Sequence, residues 1–124
     1  MEIANVWEAE GESMPGGGEH KILLRSGDQV SCLYYKLPPS PDKDVMEGAH
    51  AHLSEFVYFV IEGEMDVSVN GEVATLKKGD AMMVPFNAII GNVKKTPSQV
   101  LVVASPNGFP DELRLRGGPP DHSH

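Results

Sequence analysis

A lone cysteine, Cys32, rules out an internal disulfide. A chain without disulfides is expected in a reducing compartment, the cytoplasm. Basic residues are scarce: 10 lysines and arginines stand against 18 acids, a formal net charge of −8. So negative a chain lacks the cationic face that nucleic acid or an anionic membrane would need, and neither is an expected partner. No apolar run approaches the roughly 20 residues of a membrane-spanning helix. Residues 1–5 have neither the basic flank nor the apolar centre of a secretory leader. Helical periodicity is missing too, since no stretch of ten or more residues repeats its apolar positions at a 3.6-residue spacing. What remains is a set of short apolar segments, broken by 13 glycines and 10 prolines.

Those segments read as strands. Residues 3–7 form a short first candidate, and the glycines at 16–18 break the chain after it. Residues 21–25 and 30–37 make two strands joined by a tight turn at Ser26, Gly27 and Asp28. Cys32 lies inside the second of these and reads as a structural thiol, not a nucleophile. Pro38, Pro39 and Pro41 then force a loop. Over 64–69, Met65, Val67 and Val69 alternate with polar residues, the signature of a half-buried strand. Asn70-Gly71 marks a hairpin, because both central residues of a type I′ turn take positive φ. Residues 72–76, 81–85, 88–93 and 99–104 supply further strands, with Lys94 and Lys95 as a solvated strand end. The pattern predicts one all-β sandwich or barrel over 1–105. A Pro- and Gly-rich tail, 106–124, follows it as an extended segment.

Residues 48–63 carry the chemistry. Positions i and i+2 of a strand share a face, so His50 and His52 project side by side. Imidazole suits Zn, Cu, Fe and Ni alike, and such a pair supplies two neighbouring ligands for one ion. Glu55 follows within three residues. In an unbroken strand it faces away from the imidazoles; a bulge or kink between Leu53 and Ser54 would turn it inward. The set would then be two histidines and a carboxylate, with open coordination positions. The plain alternative is two half-buried histidines that hold no metal. His20 is a lesser ligand candidate, and His122 and His124 fall in the tail.

Gly48, His50, His52 and Gly63, followed by Gly79-Asp80 and Pro85, resemble the two motifs of the cupin superfamily over about residues 45–104. The resemblance implies a double-stranded β-helix, or jelly-roll barrel, with a metal inside. By that resemblance His50, His52 and Glu55 would hold a divalent transition metal, one of Fe, Mn, Ni, Zn or Cu. Tyr58, Met65, Met83, Phe86, Asn87 and Ile90 would contact a small-molecule substrate. A homodimer is implied as well, commonly made by exchange of an N-terminal strand, for which residues 3–7 and Trp7 are candidates. The chain departs from the family pattern at three places: Phe56 stands at the glutamate position, Asn87 at a glycine and Ile90 at the second-motif histidine. Two functions follow. One is a metal-dependent enzyme of dioxygenase, isomerase, lyase or cyclase type; the alternative is a non-catalytic binding or sensing module that has lost its full metal site.

Overall fold

The computed structural model describes residues 1–15, 17–27, 29–40 and 43–106; the tail beyond Pro106, with His122 and His124, lies outside them. Among the described residues ten strands form in chain order: β1 (Glu12–Ser13), β2 (Glu19–Ser26), β3 (Val30–Leu37), β4 (His50–Ala51), β5 (Glu55–Glu62), β6 (Glu64–Val69), β7 (Glu72–Lys77), β8 (Ala81–Val84), β9 (Ile89–Lys94) and β10 (Ser98–Ser105). They pair into a six-stranded sheet, β1-β2-β3-β10-β5-β8, and a four-stranded sheet, β4-β9-β6-β7. Every pairing is antiparallel. The expected all-β jelly roll is what forms, and among the described residues no helix is long and apolar enough to cross a membrane.

Turn chemistry sets the registers. Asn70 and Gly71 both take positive φ (51° and 87°), as a type I′ turn requires, and join β6 to β7. Gly63, between β5 and β6, has φ 96°, and a Cβ there would lie 2.5 Å from the Pro97 carbonyl, so no other residue fits without displacement. Residues 3–7 differ from expectation. They make no strand, because Asn5 folds them into a turn: its side-chain oxygen accepts from Trp7 N and its carbonyl from Glu8 N and Ala9 N. This segment lies on the outer face of the large sheet, where Lys21 Nζ donates to the Val6 carbonyl and Trp7 packs edge-on against Tyr34.

The run expected as a single histidine strand is two strands in different sheets. β4 pairs with β9 in the small sheet, while β5 pairs with β10 and β8 in the large one. The chain crosses between layers at residues 52–54. Beyond the crossing, alternation gives Phe56, Tyr58 and Val60 to the barrel interior and Glu55, Val57 and Phe59 to the outside. The interior is close-packed at its centre, with Val60, Met65 and Val84 wholly buried and Val67, Ile90, Val100 and Val102 around them.

Candidate ligand site

The imidazoles are placed by the crossing. His50 sits on β4 opposite Ile90 of β9, which is buried, so its ring projects inward. His52 is anchored one step further along, where the Asn87 amide donates to its carbonyl at 3.0 Å. Asn87 makes that bond from φ 61°, a left-handed conformation that asparagine tolerates better than most residues; this accounts for its presence at a glycine position. The two rings meet with Nε2 atoms 2.9 Å apart. His50 Nδ1 lies 2.8 Å from the Gly48 carbonyl, which can only accept, so His50 carries its proton on Nδ1. In the neutral pair, His50 Nε2 then accepts from His52 Nε2–H. Phe56 closes one side, its ring edge-on to His52 at 5.3 Å.

The remaining expected site residues divide by side. Ile90 and Met65 face inward and are buried, and Tyr58 faces inward with part of its surface reachable by solvent. Glu55 is exposed opposite Ser105 on the outer face. No bulge re-aims it, because the crossing at 52–54 resets the alternation and hands the inward position to Phe56. Met83 pairs with Val57 on that same outer face and is 60% exposed, and Phe86 is 56% exposed in the β8–β9 turn. The side chain of Asn87 is likewise exposed. Met83, Phe86 and Asn87 therefore lie outside the interior expected for them. His20 faces inward opposite Tyr35, with ring centroids 6.1 Å apart.

A stable transition-metal site takes three or four protein ligands. Here two imidazoles converge, hydrocarbon fills both neighbouring ligand positions (Phe56 and Ile90), and among the described residues no three His, Cys, Asp or Glu side chains gather. This donor set does not fit a resident metal.

Other polar groups line the interior that sequence reasoning missed. β9 presents Ile90, Asn92 and Lys94 to one face, opposite Val69, Val67 and Met65 of β6. Lys94 is thus no solvated strand end. It reaches back to donate from Nζ to Asn92 Oδ1 at 3.0 Å, and burial, with the charge of Lys43, holds its pKa below the usual lysine range. Its neighbour Lys95 points the other way, to Glu64 and Asp66. Alternation was the available signal: two adjacent lysines on one strand cannot share a face. Across the interior, burial pushes the Tyr58 phenol up to about 12, and burial together with Tyr58 pushes Tyr35 higher still. Cys32, on the outer face of β3, has its thiol pushed up by burial, which disfavours a nucleophilic role.

A family model described as a Cupin domain matches residues 37–103. No curated protein matches the chain. Among solved structures, an RmlC-like cupin from Shewanella frigidimarina is similar at 24% identity and a TM-score of 0.75, over 89% of this chain and 94% of that one. KdgF from a Halomonas species is similar at 22% identity and a TM-score of 0.76, over 88% and 96%. Pac13 of Streptomyces, a nucleoside dehydratase, is similar at 15% identity and a TM-score of 0.68, over 90% and 87%. At such identities these likenesses speak for the fold.

Proposed function

The chain belongs to the cupin family, and from that premise we propose that it binds a small organic molecule inside its barrel, at the His50–His52 pair, without the family's full metal cage. The observation that carries this reading is hydrocarbon, Phe56 and Ile90, at both remaining ligand positions beside the paired imidazoles. A neutral, hydrogen-bonded imidazole pair recognises polar groups on a ligand and can pass a proton to or from it, since imidazole titrates near neutral pH. Inward residues that keep partial exposure (Tyr35, Tyr58, Met82, Asn92 and Lys94) support access to the interior. That a similarly folded neighbour is a nucleoside dehydratase supports small-molecule chemistry in such a barrel as a class, without naming this substrate.

Elemental analysis of protein purified without added metal tests the reading. Less than about a tenth of an equivalent of Fe, Mn, Ni, Zn or Cu is expected. A full equivalent, lost in the His50→Ala/His52→Ala double variant, would restore the metal-dependent enzyme.

Two further expectations belong to this proposal. A homodimer is supported by the outer face of the large sheet, where Leu24, Phe59, Met83 and Val103 are exposed together and the 1–9 segment covers only the β2–β3 side. Sedimentation of the Met83→Glu variant as a monomer, against a wild-type dimer, would bear this out. The cytoplasmic placement is supported by Cys32, which has no second thiol to pair with. One domain over 1–105 also remains part of the reading.

A further inference from the structure

We propose that Lys94, with Lys43 beside it, forms a carboxylate-binding subsite inside the barrel, so that the ligand of the proposed site is an organic anion. The inference rests on the small-molecule reading above and narrows it to a substrate class.

The placement of Lys94 is fixed from both directions. Its strand position puts the side chain opposite Met65, which is wholly buried, on the inward face shared with Asn92. Ser40 locks its backbone, donating from N to the Lys94 carbonyl at 2.8 Å and accepting from Lys94 N on Oγ at 3.1 Å. Asn92 Oδ1 takes one of the three ammonium hydrogens, leaving two for a ligand. Lys43 adds a second positive charge near enough to oppose that of Lys94. Its Nζ packs on Gly48, 3.7 Å from where a Cβ would sit, and the Gly48 carbonyl is the one that holds His50. Lys43 therefore sits against the loop that holds His50.

Among the described residues neither Lys43 nor Lys94 pairs with a carboxylate, whereas Lys78 and Lys95, on the outside, both do. Two ammonium groups brought together and partly desolvated repel one another, and a bound anion removes that repulsion while satisfying the free N–H groups. The phenols add to this. Tyr35 and Tyr58 hydroxyls have no hydrogen-bond partner among the described residues, and burial keeps both protonated, hence able to donate to an anion at neutral pH. Lys94 Nζ is held at Asn92, two residues along β9 from Ile90 and the imidazoles, about 7 Å at strand rise. A ligand touching both groups carries its carboxylate about that far from the group that meets the histidines.

The test uses acetate, isobutyrate and benzoate against the matching amides, which have nearly the same shape and no charge. Titrations are followed by NMR at the inward methyls of Val102 and Met65. At least one acid is expected to bind about tenfold or more tightly than its amide. That preference is expected to vanish in Lys94→Met, to fall several-fold in Lys43→Met, and to persist in Lys95→Met. Lys43 lies in a loop, so its variant keeps the test meaningful if Lys94→Met does not fold. Equal binding of acid and amide, or a preference that survives both substitutions, overturns the subsite while leaving the interior site standing. No shift at the inward methyls with any probe overturns the interior site itself and the subsite with it.

Discussion

β5 and β9 enter the barrel from opposite sheets, and both place hydrocarbon beside the imidazoles: Phe56 from one, Ile90 from the other. One step further in they still agree, with a polar side chain on each, Tyr58 and Asn92. At the next step they part. β5 ends its inward row on Val60, wholly buried, while β9 ends on Lys94, with Nζ drawn to Asn92. The two rows show that polarity has been moved, not removed. A carboxylate and a third imidazole are missing where a metal cage needs them, and an amide, two phenols and an amine stand deeper in the same space.

Restoring the missing ligands breaks the comparison most sharply. Phe56→Glu together with Ile90→His places a carboxylate and an imidazole at the two inward positions beside His50 and His52. Zinc binding is expected to rise by about a hundredfold or more, to one equivalent, in a calorimetric titration. Binding no better than wild type would mean that these two positions do not face the pair. A smaller effect probes the closed end of the barrel: Met65→Ala empties a wholly buried position opposite Lys94 and should cost about 2–5 kcal/mol in urea unfolding. A loss well below that range would show that this end is loosely packed and that Lys94 is not enclosed. The smallest effect is a pH slope. Burial keeps Tyr58 protonated in the folded chain up to about 12, against 10.0 for the free phenol, so the unfolded chain loses this proton first. Its contribution is whole below pH 10 and falls as pH rises toward 12, by roughly 1–3 kcal/mol. Tyr58→Phe should flatten that slope, and an unchanged slope would take Tyr58 out of the enclosed interior.

Much of the fold is legible in the residues. Asn70-Gly71, the alternation at Met65, Val67 and Val69, and the absence of helical periodicity together carry the all-β barrel, and the spacing of His50 and His52 carries the paired imidazoles. Glu55 could not be placed because its direction depends on where the chain changes sheets, and a crossing at 52–54 leaves no mark in local propensity. Residues 3–7 misled because apolar content suggests a strand, whereas the Asn5 side chain captures the backbone in a turn. Lys94 was hidden by Lys95: the doublet looks solvated, although period-two geometry turns one of the pair inward. The resemblance alone sets Met83 and Phe86 against a substrate, and only strand pairing reveals that Met83 faces out with Val57.

The central claim, that the two imidazoles meet each other instead of sharing a metal, is tested most directly by their tautomers. Long-range 15N–1H correlation spectra at a pH where both rings are neutral report which nitrogen carries each proton. His50 is predicted to be protonated on Nδ1 and His52 on Nε2, the arrangement in which one ring donates to the other. Both rings protonated on Nδ1, with both Nε2 lone pairs aimed at a common point, would be the pattern of a metal-bound pair and would contradict the account.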